Sequence, residues 1–436
     1  MSEPTASNPA SGTVPARAAQ DAGAPKPRFR DVLANPKMLA IMVLGAASGF
    51  PNQITESALQ AWLKDAGTSN TTIGVLTYVA IPYLLKFLWA PLLDRYPLRL
   101  LGRRRGWMLL FQFGIAAGIA MLAVQDPAAS LVPIAIVAVT IVFLSASQDI
   151  VIDAYRTDVS LPHERGLAAA ATNLGYRASA WLAFAFALVL ADAFGWRLAF
   201  LVLAATMMAF ALAAVFAPEP HYQEAPPSTL RESVVAPLRE LLGTPGAAAL
   251  IALVMLFKIG DAFALKLFTP FMMDVGFTKT EIGLVAKAVM TTGTIAGAVL
   301  GGLWMVKLGL LRSMLFFGLL QAVSNLAYYL LAIVGKDYPL MVAGVALDNL
   351  ASGMGNVASV ALIMALCHAR FSAFQYALLS AFALLPRYSL GGPAGWLADA
   401  AGWDTYYIVS FLMGLPGVAL VWLMRDRIRA VDAVRT

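Results

Sequence analysis

Leu131-Val-Pro-Ile-Ala-Ile-Val-Ala-Val-Thr-Ile-Val-Phe-Leu144 carries no charge, yet the same run continues into Ser147-Gln148-Asp149-Ile-Val-Ile-Asp153-Ala-Tyr155-Arg156. Two carboxylates and a guanidinium therefore close a segment long enough to cross about 30 Å of hydrocarbon. An ionisable side chain at bilayer depth costs about 2.5–3.5 kcal/mol by insertion scales, so it is kept where it finds a partner or lines a wet path. That pattern points to transport across a membrane.

The rest of the chain agrees. It is 60% hydrophobic and 13% charged, with a mean hydropathy of +0.73 over 436 residues, which is outside the range of soluble globular domains. Twelve apolar segments are expected to span, at 38–63, 71–94, 107–125, 131–156, 165–191, 196–217, 246–273, 280–307, 312–334, 338–367, 371–398 and 404–424. If the first tail is cytoplasmic and sides alternate, twenty Lys and Arg fall inside and four (Lys64, Arg197, Lys279 and Lys336) outside. Positive residues stay in the cytoplasm, so both termini are expected there. The net charge of +6 is thus topogenic and not a nucleic-acid footprint.

Residues 1–36, rich in Ala, Pro, Ser and Thr, read as a disordered cytoplasmic tail without a cleavable signal. The single cysteine, Cys367, excludes an intrachain disulfide. His163, His221 and His368 all fall in connections and do not cluster, so neither a metal site nor a hydrolytic centre is expected, and no cofactor. The reading is of a carrier and not an enzyme.

The chain repeats itself. Asp65-Ala-Gly67-Thr-Ser-Asn-Thr-Thr-Ile73-Gly74 returns as Asp274-Val-Gly276-Phe-Thr-Lys-Thr-Glu-Ile282-Gly283, and Leu190-Ala-Asp192-Ala-Phe-Gly195-Trp196 as Leu397-Ala-Asp399-Ala-Ala-Gly402-Trp403. The expected organisation is a six-helix bundle over 37–217, a Pro-containing cytoplasmic linker over 218–245, a second six-helix bundle over 246–425 and a tail over 426–436. Two six-span repeats in parallel orientation, with a site near the midplane between them, form the all-α architecture of major facilitator transporters.

Charge placement supports that fold. The intramembrane acids Glu56, Asp149, Asp153, Asp261 and Asp348 lie on segments one, four, seven and ten. The cations Lys86, Arg156, Arg177, Lys258, Lys266, Lys287 and Arg387 leave segments three, six, nine and twelve bare, free to face lipid. Pro51, Pro82, Pro270, Pro386 and Gly391-Gly-Pro393 mark expected bends.

Leu59-Gln-Ala-Trp-Leu63, Tyr83-Leu-Leu-Lys-Phe-Leu-Trp-Ala-Pro-Leu-Leu-Asp94-Arg95-Tyr96, Gly102-Arg-Arg-Arg-Gly-Trp107 and Gln148-Asp-Ile-Val-Ile-Asp-Ala-Tyr-Arg-Thr-Asp158 resemble the AmpG family of muropeptide permeases. The resemblance is dense over 49–180 and looser beyond, where Gly391-Gly-Pro-Ala-Gly395 carries it. It implies proton-coupled import of GlcNAc-anhydroMurNAc and its peptide-bearing forms across a bacterial inner membrane, serving cell-wall recycling and, in some hosts, β-lactamase induction. A facilitator for another bulky anionic solute, acyl-CoA-like or siderophore-type, is the alternative. By fold analogy the carrier works as a monomer.

A muropeptide presents carboxylates, amides and hydroxyls, which call for cations, amide side chains and aromatic rings together. Candidate cargo contacts are Lys86, Arg177, Lys258 (with Asp261), Lys266, Lys287 and Arg387 for carboxylates. For hydroxyls and amides they are Gln53, Gln60, Gln148, Asn173, Gln321, Asn325, Asn349 and Asn356. Tyr83, Tyr176, Tyr388 and Trp62 are candidates for stacking on sugars. For proton coupling, Asp149 stands out: its only charged neighbour along the helix is Asp153 at i+4, whereas Asp153 has Arg156 three residues on. Pairing of Asp149 with Lys86 across two segments is the structural alternative. Glu56, on the polar stripe Asn52, Gln53, Glu56, Gln60, and Asp348 have no cation nearby in sequence. Asp94, Arg95, Arg104, Arg105, Glu164 and Arg165 form a candidate cytoplasmic gate like the facilitator signature between the second and third helices. The matching stretch of the second half, Gly301 to Gly309, lacks the acid, which leaves that gate lopsided.

Overall fold

The computed structural model describes residues 36–95, 98, 104–160, 165–218, 247–366 and 372–433, and they are helical throughout apart from short turns. Six helices form the first half: α1 (Pro36–Asp65), α2 (70–95), α3 (Arg105–Leu122), α4 (Val132–Val159), α5 (Arg165–Phe194) and α6 (Trp196–Phe216). The second half repeats them as α7 (247–275), α8 (281–308), α9 (310–334), α10 (Tyr338–Leu366), α11 (372–401) and α12 (403–423), and a short α13 (Arg425–Ala433) follows. Residues 1–35 of the expected tail and 219–245 of the expected linker lie outside the described residues, as do Cys367 and all three His.

Eight helical stretches are long and apolar enough to cross a membrane. Two of these, Glu281–Val334 and Leu378–Leu423, are each twice a bilayer's length, and both reverse at a glycine. Gly309 (φ 72°) separates α8 from α9 and Gly402 (φ 80°) separates α11 from α12. Such backbone is open to Gly and strained for other residues. Tyr338–Leu366 and the broken α2 complete the twelve spans.

The sequence echoes reappear as equal backbone shapes. Gly67 and Gly276 both take positive φ after α1 and α7, and Gly195 and Gly402 do so before α6 and α12. We call this end of the molecule, where α1 turns into α2, the Asp65 end, and the opposite one the Arg104 end. Apolar side chains face outward on α3 (Leu110, Phe113), α6 (Leu201, Leu212), α9 (Leu319, Leu330) and α12 (Leu412), the helices without buried charge.

The inner helices are irregular where the charges sit. After Pro51, α1 opens into a π-helical turn, Ile54–Ala58, that contains Glu56. Around Pro82, α2 is tightened into 3₁₀ turns at Thr77–Ala80 and Lys86–Leu88. A break in α7 between Ala264 and Phe268 holds Lys266, and α8 begins with a π turn that ends at Lys287. In α11 the regular hydrogen bonding lapses at Leu390, just past Pro386 and Arg387. Proline deletes one ladder hydrogen bond and π turns redirect side chains, so these distortions aim polar groups between the halves.

Candidate functional site

A polar layer joins the halves at mid-depth. Arg387 of α11 grips Glu56 of α1 bidentately: Nη2 lies 2.6 and 2.7 Å from Oε1 and Oε2, and Nε lies 3.0 Å from Oε1. The Arg387 side chain is 48% exposed and that of Glu56 18%, so this central pair faces open space. Around it, Lys266 donates to the Arg387 carbonyl (2.6 Å), Gln60 to the Lys266 carbonyl (3.4 Å) and Lys287 to Gln53 Oε1 (3.3 Å). Asn52 donates to the Tyr176 hydroxyl (2.9 Å), tying α1 to α5. Three cations thus converge on one carboxylate, an excess of positive charge suited to an anionic solute.

A second cluster lies within the first half. Asp149 accepts from Ser48 Oγ and from Lys86 Nζ (3.5 Å), while Tyr83 donates to Ser145 (2.7 Å) and Trp89 to Ser147 (3.0 Å). Asp149 is therefore held by a hydroxyl and a distant ammonium, a loose arrangement beside the bidentate grip on Glu56. Asp153 pairs with Arg156 (3.2 Å) and is more than half exposed. In the second half, Asp261 meets Lys258 (3.3 Å) and Ser352 (3.2 Å).

Other candidates lie elsewhere. Asp348 is fully buried between α10 and α9, where Ser324 (3.0 Å) and Tyr328 (3.1 Å) donate to it. Gln148 is buried and donates to the Ala47 carbonyl, and Asn349 to Val345, each serving helix packing. Trp62 packs edge-on against Phe200, and Gln321 and Asn325 are enclosed within α9's contacts. Arg177 and Asn356 are exposed; Arg177 lies two helical turns from Phe184, over which Lys287 is seated, and has no partner among the described residues.

Of the expected gate, Arg104 is bound to Asp158 (3.0 Å) within the first half. Arg105 heads α3, whereas Glu164 and the side chains of Asp94, Arg95 and Arg165 lie outside the described residues. A different gate is visible at the Asp65 end, built from the two repeated motifs. Asp65 takes the Lys279 ammonium of the other half (2.9 Å) and the Trp196 indole N–H (2.8 Å). Asp274 takes Lys64 (2.7 Å) and Trp403 (2.9 Å) in the mirrored arrangement. Asp399 accepts from Asn70 N (3.1 Å), Thr71 N (2.6 Å) and Thr71 Oγ1 (2.7 Å), capping α2 from the opposite half, and its counterpart Asp192 accepts from Thr280 (2.7 Å). Behind this lock, α2 and α11 touch through glycine: a Cβ on Gly74 would stand 2.1 Å from the Gly391 carbonyl oxygen. Among the described residues, the hydrogen bonds and ion pairs that join the halves all lie in this lock or in the central layer. The molecule is closed at the Asp65 end.

Residues 41–273 match the Major Facilitator Superfamily. The chain is 42% identical over 401 residues to the anhydromuropeptide permease of Escherichia coli K12, covering 92% of this chain and 82% of that protein. It is 34% identical to an uncharacterized protein of Haemophilus influenzae, over 89% and 94% of the two chains. Among solved structures, a bacterial homolog of the human lysosomal transporter Spinster superposes with a TM-score of 0.71 at 17% identity, covering 94% of this chain and 99% of that one. The D-xylose-proton symporter does so at 0.65 and 15%, covering 91% and 98%. Twelve spans in two repeated halves around a charged midplane layer, together with these likenesses, make the chain a multi-pass membrane transporter of the major facilitator superfamily and a homologue of the anhydromuropeptide permease.

Proposed function

We propose that the protein imports anhydro-muropeptides from periplasm to cytoplasm across a bacterial inner membrane, coupled to protons, by alternating access. The observation that carries this reading is the midplane layer in which Lys266, Lys287 and Arg387 surround the single acid Glu56. A muropeptide carboxylate competes with Glu56 for the Arg387 fork, and displacement of Glu56 loosens the one direct ion pair that joins the halves at mid-depth among the described residues. Gln53, Gln60 and Asn52 offer amides to sugar and peptide groups, and Tyr176 offers a ring. Kinship with the Escherichia coli permease at 42% identity supports the cargo class.

Twenty basic residues against four favour the Arg104 end as cytoplasmic, so the closed Asp65 end is periplasmic and the state is shut to the outside. Asp149 is the proton site in this reading. Protonation releases Lys86 from its 3.5 Å contact and so frees α2, whose outer end Asp399 caps, to move against α4. One proton supplies about 2.3 kcal/mol per 100 mV, enough for roughly fifty-fold accumulation of a neutral solute.

Isothermal titration of the detergent-purified chain with GlcNAc-anhydroMurNAc tests the cargo. Saturable binding, weakened by Arg387→Ala and not displaced by an acyl-CoA, is the expected result; binding of the acyl-CoA alone overturns it.

A further inference from the structure

The turn between α8 and α9 holds a feature that cargo transport leaves unused. Trp304, Lys307, Leu308, Arg312 and Phe316 line a groove of about 410 Å³ at the Arg104 end. Lys307 and Arg312 are exposed and, unlike Arg104 with its Asp158, have no carboxylate in ion-pair contact among the described residues. Trp304 and Phe316 lean on each other with ring centroids 5.8 Å apart and are each 44% exposed. Beside them Leu303 and Val306 are bare, so the groove opens on the flank that faces lipid and not on the space between the halves.

We propose that this groove is a binding site for an anionic phospholipid of the cytoplasmic leaflet. The phosphodiester pairs with Lys307 and Arg312, and an acyl chain lies over Trp304 and Phe316. Charge complementarity selects the occupant: two cations without an acid, at the level where headgroups sit, attract a net-negative headgroup, and an indole is at home at that boundary. A zwitterionic headgroup brings its own ammonium against the same two cations and is disfavoured. At the equivalent turn of the first half the sequence sets Asp94 among the arginines instead. The leaflet assignment rests on the orientation given above; binding itself does not depend on the cargo.

Native mass spectrometry of the full chain in detergent, titrated with phosphatidylglycerol, cardiolipin or phosphatidylethanolamine, tests the site. The expected result is retention of the two anionic lipids over the zwitterionic one. Lys307→Ala with Arg312→Ala weakens anionic-lipid binding roughly thirty-fold, from the share expected of two surface cations. Trp304→Ala weakens both anionic lipids, and the charge-keeping pair Lys307→Arg with Arg312→Lys preserves binding, which separates loss of charge from loss of fold. Equal retention of all three lipids, unchanged binding in the double alanine variant, or full displacement by millimolar inorganic phosphate would each overturn the proposal. Muropeptide titration of the same samples reports cargo binding separately.

Discussion

Asp399→Ala removes a helix cap that exists only while the Asp65 end is shut. The carboxylate crosses from α11 to take two backbone N–H groups and one hydroxyl at the start of α2, at 2.6–3.1 Å. Replacing an N-cap acid by Ala costs about 0.5–2 kcal/mol. The local cap of α2, Ser69 accepting from Thr72 N, stays in place in the variant, so the helix itself survives. The loss therefore falls on the balance between closed and open forms, and a cost of about 0.5–2 kcal/mol shifts that ratio roughly 2- to 30-fold toward opening. The assay is double electron–electron resonance between spin labels at the exposed positions Ala66 and Ala400, one on each half, with Cys367→Ser removing the native thiol. The longer-distance population is expected to grow in Asp399→Ala and to change less in Asp192→Ala, whose counterpart contact is one hydroxyl. An unchanged distance distribution would refute the idea that this cap holds the end shut.

Four further outcomes follow from the same geometry. Lys64→Met with Lys279→Met removes two partly exposed cross-half pairs, worth about 0.2–1 kcal/mol each, and the same labels should report a shift of roughly 2- to 30-fold that shrinks in high salt. Gly74→Val pushes a side chain into the Gly391 carbonyl, so the labels should show an end that no longer closes and uptake should stop while membrane insertion stays normal. Arg387→Ala strips the cargo's fork and leaves Glu56 unpaired; with about 2–5 kcal/mol at stake, cargo affinity measured by titration falls at least roughly thirty-fold, and Lys at this position does not restore the bidentate grip. Asp149→Asn keeps the Ser48 contact but cannot cycle a proton, so exchange of labelled for unlabelled cargo should persist while gradient-driven uptake is lost.

The spans, their repeat and the sorting of charge onto inner helices were legible because they are local: hydropathy windows and fixed offsets need no folding. Pairings within one helical turn, Asp153–Arg156 and Lys258–Asp261, were legible for the same reason. What could not be read was the docking of the halves. Glu56 has no cation near it in sequence, yet its partner Arg387 arrives from 331 residues away, so the isolation that singled out Glu56 as a proton site is lost on folding. Asp348, singled out on the same ground, meets two hydroxyls of α9, whose Arg312 lies about three turns away and gives no sign of the contact. Asp65, Asp274, Asp192 and Asp399 are visible in the sequence as repeats that mark the register of the two halves. That the two repeats are each other's partners is a consequence of pseudo-two-fold packing, in which equivalent motifs meet across the axis. The recurrence of acids in both copies was the available signal.

The most direct test of the account is accumulation of radiolabelled GlcNAc-anhydroMurNAc in proteoliposomes of controlled orientation under an imposed pH gradient and potential. The account predicts uphill uptake by the wild type, abolished by a protonophore and by Asp149→Asn. Downhill equilibration that ignores the gradient would contradict proton coupling, and no uptake by the folded protein would contradict the cargo.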